Sequence, residues 1–368
     1  MSANHDPRKS LGDARRIVIK IGSRSVVGGA NHAFVRLAAQ VKALRDQDRS
    51  VVVVSSGAIA LGMRRLGLDR RPSEIGRLQA AAAAGQSLLM QAYEQAFAAH
   101  SIEVGQVLLT HADLTDRDRF LNARAALEAL LELSAVPVVN ENDTVAVEEI
   151  RFGDNDQLAA MVTTLVSADL LIMLTHVEGL LDAQGKRVSV VADATEAIRL
   201  VQPKKSDEGS GGMSSKVEAA RRATMRGVPV VIADASAAEV VTQILDGKDV
   251  GTLFLPHGSP MASRKHWIGY VLKPKGVILV DQGAVKALRS GGRSLLPAGV
   301  TGARGDFEAG DAVQIVGPDG TELGKGLARY GLRDVARLAG AQTKDIEARI
   351  GRTGGDEIVH RDDLVLSG

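Results

Sequence analysis

The sequence predicts an α/β fold: an open, mainly parallel sheet sandwiched by helices, followed by a small, mostly β C-terminal domain. Short runs of Val, Ile and Leu without polar alternation recur through much of the chain, as in parallel strands buried on both faces. Longer stretches with helical spacing of apolar residues separate these runs. Such alternation of strand and helix builds a parallel sheet covered by helices. After about residue 270 the apolar runs become short and β-like.

The elements of the first domain follow from these patterns. Strands are predicted at 16–21, 51–55, 104–110, 136–140, 170–175 and 228–233. The alanine-rich stretch 77–99 is a predicted helix, as are the stretch 157–167 and the stretch with an apolar stripe from Phe120 to Leu131. Thr115 and Asp116 are the two candidates for the N-cap of the helix with this stripe.

The character of the sequence changes between Gly258 and Lys275, where a loop-rich segment gives way to short β-like runs. Strands are predicted at 277–280, 312–316 and 323–327, with Gly317-Pro318-Asp319-Gly320 as a hairpin turn between the last two. We therefore expect a flexible N-terminus at 1–14, a first domain at 15–262, a linker at 263–274 and a second domain at 275–368.

The composition indicates a cytoplasmic enzyme. Of 368 residues, 45% are apolar and 24% are charged, as in ordinary globular proteins. A formal net charge of +1 gives no bulk attraction to nucleic acid or to an acidic membrane. The absence of cysteine excludes disulfides, thiolate catalysis and Cys-zinc sites, and the 8 histidines lack metal-ligand spacing. We expect neither a signal peptide nor a transmembrane segment.

Gly211-Gly212-Met213-Ser214-Ser215-Lys216 is the most informative segment. Two glycines, two hydroxyls and a lysine at a predicted helix start provide donors for phosphate oxygens. The segment is not a P-loop, because Ser215 rather than a glycine precedes Lys216. The alternative is that 208–215 is a glycine-serine linker.

Polar residues also lie at the carboxyl ends of predicted strands, where open α/β sheets bind ligands. They are Lys20, Ser55-Ser56-Gly57, Asn140-Glu141-Asn142-Asp143 and Thr175-His176. Asp143 can hold a substrate ammonium group. Before the helix at 157–167, Asn155 can donate to a carboxylate, and Asp156 can accept from two lysines and direct them. The plainer alternatives are a snorkelling lysine for Lys20 and a helix N-cap for Asp156.

In this order, the segments resemble those of the glutamate 5-kinase family, within the amino acid kinase superfamily. The resemblance covers about residues 15–260 and includes Val104-Gly105-Gln106-Val107-Leu108-Leu109 and Arg119-Phe120-Leu121-Asn122-Ala123-Arg124. From about residue 275 the chain is similar to the PUA domain of many bacterial members, ending in His360-Arg361-Asp362-Asp363. The resemblance implies ATP-dependent phosphorylation of the L-glutamate γ-carboxylate, the first step of proline biosynthesis.

The resemblance also implies a role for each candidate residue. Lys20 and Lys216 would be catalytic, neutralising charge on the transferring phosphoryl group, and Asp156 would orient them. Glutamate would be bound by Ser56, Gly57, Asp143 and Asn155. ATP with Mg²⁺ would be bound by Lys20, Thr175, His176, Ser210, Gly211, Gly212, Met213, Ser214, Ser215 and Lys216. A homo-oligomer and feedback inhibition by proline are expected, and a membrane or nucleic-acid partner is not.

Two departures from the family pattern lie on the nucleotide side. His176 stands where an aspartate usually follows the threonine, and the region 182–209 is short. One alternative function is that of a related amino acid kinase acting on another carboxylate or phosphate. The other is RNA binding through the second domain, but residues 275–368 carry 13 Lys/Arg against 13 Asp/Glu, with Phe307 and Tyr330 as aromatics. That is neither a basic footprint nor a stacking platform.

Overall fold

The structure is a computed structural model. It describes residues 6–23, 30–146, 155–200, 212–256, 272, 274–289, 292–351 and 355–366. The chain folds into two compact units, Met1–Gly258 and Ser259–Gly368. Among the helices of the described part, none is both long and apolar enough to cross a membrane.

The first unit is built on a large sheet. Its strands are β1 (Arg16–Ile21), β2 (Ser50–Val54), β3 (Val104–Leu109), β4 (Val136–Glu141), β5 (Leu170–Thr175), β6 (Val190–Val191), β7 (Val230–Asp234) and β8 (Thr252–Phe254). They lie in the order β3-β4-β2-β1-β5-β7-β8-β6. Neighbouring strands are parallel except for β7 and β8, which are antiparallel. The prediction of an open, mainly parallel sheet is confirmed.

Helices cover both faces of this sheet. They are α1 (Ala30–Arg45), α2 (Ala58–Arg65), α3 (Ile75–Ala98), α4 (His111–Thr115), α5 (Arg117–Glu132), α6 (Asn155–Leu165), α7 (Ala194–Leu200), α8 (Met213–Thr224) and α9 (Val240–Leu245). Successive residues of a strand point to opposite faces. In β1, Ile17 and Ile19 therefore belong to one core with Phe34 of α1, and Val18 belongs to a second core with Val217 of α8.

The bounds of the predicted strands in this unit agree with the structure to within two residues. The short strands β6 and β8 were not expected from the apolar pattern, because two or three residues are too few for a period to show. Asp116 is the N-cap of α5, since its carboxylate accepts from the backbone N–H of Arg119 at 3.0 Å. The hydroxyl of the other candidate, Thr115, donates to the backbone oxygen of Ala112.

Two glycines bring the backbones of α2 and α3 into close contact. A Cβ atom at Gly62 would lie 1.7 Å from the backbone oxygen of Ala81, and one at Gly85 would lie 1.8 Å from that of Ala58. Only a residue without a Cβ lets the two backbones come this close. Because α2 starts immediately after the turn 55–57, this contact also fixes the helix that follows the turn.

The second unit contains a smaller sheet and short helices. Its strands are β9 (Gly276–Val280), β10 (Val300–Gly305), β11 (Ala312–Val316), β12 (Glu322–Leu327) and β13 (Leu364–Leu366), in the order β10-β9-β11-β12-β13. Its helices include α10 (Gln282–Arg289), α11 (Leu332–Leu338) and α12 (Ile346–Ile350). Strands β11 and β12 are antiparallel, and the N–H of Gly320 donates to the oxygen of Gly317 in the predicted turn between them.

Phe307 and Tyr330 both belong to the core of the second unit and are each 1% exposed. Stacking on a nucleic-acid base requires an accessible aromatic face. Their burial gives both rings a structural role and removes them as a platform for bases.

Candidate active site

The order of the strands brings the predicted polar residues to one edge of the first sheet. Strands β4, β2, β1 and β5 are parallel neighbours, so their carboxyl ends meet. From β1 the sheet continues to β2 on one side and to β5 on the other, which makes β1 the topological switch point where such sheets bind ligands. Lys20 lies in β1, paired in register with Val54 of β2 and Met173 of β5.

Asp156 lies between two lysine side chains. Its Oδ1 atom is 2.5 Å from Nζ of Lys20, and its Oδ2 atom is 3.1 Å from Nζ of Lys216. The Oδ2 atom also accepts a hydrogen bond from the hydroxyl of Ser215 at 3.1 Å. Asp156 is 1% exposed, and the lysines are 5% and 6% exposed. The structure therefore brings the three residues that the sequence predicts to be catalytic into one buried cluster, with Asp156 in the first turn of α6.

The charges of this cluster are unequal. Burial raises the pKa of the Asp156 carboxyl, but the charges and hydrogen bonds of Lys20 and Lys216 outweigh burial and lower that pKa from 3.8 to about 2. Two ammonium groups against one carboxylate leave one positive charge in excess. At a site with little solvent, such an excess attracts an anion more strongly than it would in water. The cluster is therefore suited to hold a phosphoryl group.

We expect the stability contributed by Asp156 to depend on pH. Its pKa in the folded chain lies below that of an unfolded aspartate, so ionised Asp156 stabilises the fold above about pH 4. That contribution, about 2 kcal/mol, is lost as the pH falls towards 2. Asp156→Asn should therefore be less stable than wild type at pH 6, and the difference should narrow at pH 3. Denaturant unfolding at both pH values measures it.

Asp46→Asn is the matched control for this experiment, because Asp46 forms an ion pair with Lys42 in which both side chains are exposed. Exposed ion pairs contribute little to stability. If Asp156→Asn and wild type differ by the same free energy of unfolding at pH 3 and at pH 6, the assignment of an ionised carboxylate with a lowered pKa to Asp156 is wrong.

Ser56, Asn155 and Asn140 form a hydrogen-bonded chain at the ends of β2 and β4. The side-chain amide of Asn155 donates to Ser56 Oγ at 3.0 Å and to Asn140 Oδ1 at 3.1 Å. Asn140 lies in β4 and is 1% exposed. The Oδ1 atom of Asn155 is buried and has no hydrogen-bond partner within the described part of the chain. An acceptor left over in a binding site is a position for a donor on the ligand.

The other two residues predicted to bind glutamate, Gly57 and Asp143, follow Ser56 and Asn140 closely in the sequence. Gly57 is the N-cap of α2 and has a φ of 108°, a conformation that glycine adopts readily and other residues rarely do. Asp143 follows the last residue of β4 by two positions and is partly exposed.

The residues predicted to bind the nucleotide lie on the other side of Lys20. Thr175 is the last residue of β5 and is buried, and His176 follows it and is exposed. Gly212 is the N-cap of α8, which begins at Met213 and continues through Ser214 and Ser215 to Lys216. Ser210 and Gly211 lie outside the described residues.

Two residues of α3 that the motifs do not predict also contact the site. The Oε1 atom of Gln86 accepts from the side-chain amide of Asn140 at 2.8 Å, and the hydroxyl of Tyr93 donates to Ser55 Oγ at 2.9 Å. In the sequence, Gln86 is one of several polar residues in an alanine-rich helical stretch. That pattern predicts a helix and gives no indication of which strand end the side chain contacts.

Comparison with known proteins agrees with the motifs. A model of the amino acid kinase family matches residues 15–234, and a model of the PUA domain matches residues 276–350. A glutamate 5-kinase of Trichlorobacter lovleyi is 48% identical, with 98% of each chain covered. One of Myxococcus xanthus is 46% identical, with 100% of each chain covered. The solved structure of N-acetylglutamate synthase from Neisseria gonorrhoeae has a similar fold, with a TM-score of 0.51 and 16% identity over 79% of this chain and 70% of that chain.

Proposed function

Since the chain belongs to the amino acid kinase family, we infer that it acts as its glutamate 5-kinase relatives do. It transfers the γ-phosphoryl group of ATP to the γ-carboxylate of L-glutamate, giving L-glutamyl 5-phosphate and ADP. This reaction is the first step of proline biosynthesis. The observation that supports it most strongly is the buried cluster of Lys20, Asp156 and Lys216.

The chemistry requires positioning and charge neutralisation rather than a general base. A glutamate side chain, with an ordinary pKa of ~4.3, is already ionised at neutral pH. A γ-carboxylate oxygen forms the new bond to the γ-phosphorus, and the bond between that phosphorus and the oxygen leaving with ADP breaks. Negative charge on the transferring group is then the main obstacle. Lys20 and Lys216 would neutralise this charge, and Asp156 would hold both ammonium groups in place.

We assign the two substrates to opposite sides of Lys20. Ser56, Gly57, Asp143 and Asn155 would bind glutamate, since they lie at the ends of β2 and β4 and the start of α6. The nucleotide would lie towards β5 and α8, with Thr175 and His176 and with the donors of 210–216. Mg²⁺ would accompany ATP, because in such sites it is bound largely through the phosphates.

Three further features belong to the proposal. The kinase domain would extend over 15–262 and the PUA-like domain over 275–368, with 263–274 as the linker. Within the N-terminal stretch 1–14, the 3-10 helix Lys9–Asp13 is packed through the buried Leu11 rather than flexible. The enzyme would form a homo-oligomer. Proline, the end product of the pathway, would act as a feedback inhibitor.

The proposed function is tested by measuring ADP release with a panel of amino acids. L-glutamate should support turnover, and hydroxylamine should trap the acyl phosphate as a hydroxamate. L-glutamine, which has no ionised γ-carboxylate, should support none. L-aspartate and N-acetyl-L-glutamate differ from glutamate in chain length and in the ammonium group, respectively, and they test the related kinase functions. ADP release with N-acetyl-L-glutamate and none with L-glutamate would overturn the proposal.

A further inference from the structure

Helix α3 contributes two polar side chains to the ends of neighbouring strands. Gln86 and Tyr93 are seven residues apart, which places them on the same face of the helix. Gln86 contacts Asn140 in β4, and Tyr93 contacts Ser55 directly after β2. The same stretch of α3 carries Gly85, where the backbones of α2 and α3 come into close contact. This contact packs α3 against the helix that follows the turn 55–57.

Gln86 ends a chain of side-chain hydrogen bonds that reaches the proposed glutamate site. Its Oε1 atom accepts from Nδ2 of Asn140 at 2.8 Å. Asn140 Oδ1 accepts from Nδ2 of Asn155 at 3.1 Å, and that same nitrogen donates to Ser56 Oγ at 3.0 Å. The chain contains two of the four residues that we assign to glutamate. Gln86 itself is only half-buried and belongs to a different element.

An amide side chain has one donor end and one acceptor end, so fixing either end fixes the other. The oxygen of Gln86 holds the nitrogen of Asn140, which leaves the Asn140 oxygen to hold the nitrogen of Asn155. Within this hydrogen-bonded chain of side chains, the buried Oδ1 atom of Asn155 is then the acceptor that has no partner in the described residues. Among the groups of glutamate, only the ammonium can donate to it. The direction of the chain therefore determines which part of the substrate Asn155 can bind.

We propose that Gln86 is a positioning residue for the amino-acid substrate, acting through Asn140 to orient Asn155. This inference rests on the proposed function. Gln86 does not touch the phosphoryl-transfer cluster, so it sets the affinity for glutamate and leaves the transfer step and the ATP site unaffected. Its loss leaves a buried donor on Asn140 unsatisfied and lets both asparagine amides rotate.

The test replaces Gln86 by methionine, which has a similar length and forms no comparable hydrogen bond. We expect KM for glutamate to rise about tenfold, with kcat and KM for ATP within about twofold of wild type. Gln91→Met is the matched control, because Gln91 is an exposed glutamine of the same helix, and it should behave as wild type. Gln86→Glu retains an oxygen that accepts from Asn140, so its KM for glutamate should lie between those of wild type and Gln86→Met.

A double-mutant cycle distinguishes an effect of Gln86 that acts through Asn140 from a general effect on the structure. Gln86 and Asn155 are linked through Asn140, so Gln86→Met should have little further effect on kcat/KM for glutamate in an Asn155→Ala background. Equal effects of Gln86→Met in both backgrounds, or an unchanged KM for glutamate in the single variant, would overturn the role of Gln86 and leave the proposed function standing. A wild-type enzyme that releases no ADP with glutamate would overturn the proposed function and this inference with it. Gln86→Glu allows the same comparison if Gln86→Met does not fold.

Discussion

Replacing Lys20 or Lys216 by alanine is expected to lower kcat about 100- to 1,000-fold, with KM for glutamate within about threefold of wild type. Both ammonium groups contact Asp156 in a nearly solvent-free site. The charge that they neutralise develops on the transferring phosphoryl group, so their loss affects the transition state more than the bound glutamate. Initial rates at saturating and limiting glutamate, at saturating ATP, separate the two effects.

Lys42→Ala is the matched control for the two lysine variants. Lys42 is 41% exposed in α1 and forms its ion pair with Asp46 one turn further along the helix. Its replacement should leave kcat unchanged. Far-UV circular dichroism checks that each variant is folded, because removing one lysine leaves the buried Asp156 with a single cation. A folded Lys20→Ala enzyme with normal kcat and a raised KM for glutamate would move that lysine from the transfer step to substrate binding.

Replacing Gly62 or Gly85 by alanine adds one methyl group and should destabilise the first unit by about 3 kcal/mol or more. The variants should therefore lose activity at a lower temperature than wild type. At either position the new Cβ would meet a backbone oxygen at less than 2 Å, at 1.7 Å and 1.8 Å respectively. A backbone cannot yield as a flexible side chain can, so α2 and α3 must separate. That separation displaces both the turn 55–57 and Gln86 from the site. Thermal or denaturant unfolding of Gly62→Ala and Gly85→Ala measures the loss in free energy of unfolding.

Gly76→Ala provides the control, since it lies in the same helix α3 and a Cβ there meets nothing within 4 Å. Alanine is favoured over glycine inside a helix by about 1 kcal/mol, so this variant should be as stable as wild type or slightly more stable. If Gly62→Ala and Gly85→Ala unfold at the same denaturant concentration as Gly76→Ala, the close contact between α2 and α3 does not exist in solution.

Local patterns in the sequence predict most of the first sheet. Strands β1 and β5 have the predicted bounds, because a strand covered on both faces must be apolar along its length. The site segments are also visible locally, since Lys20 interrupts such a run and four polar residues from Asn140 to Asp143 end another. Polar groups at these positions are costly to bury unless they bind something. The antiparallel edge formed by β8 is not predictable in this way, because three residues carry no period.

The sequence by itself determined which residue types carry the chemistry and which strand ends they follow. Only the tertiary structure decided which of them meet. Asp156 contacts Lys20 and Lys216 because the fold packs α6 against β1 and α8 against α6, and that arrangement results from many packing contacts between distant segments. Gln86 shows most clearly what local patterns cannot predict. The apolar periodicity around it predicts a helix. Its contact with Asn140, 54 residues away, depends on how α3 packs against α2 and the sheet, and no short-range pattern encodes that packing.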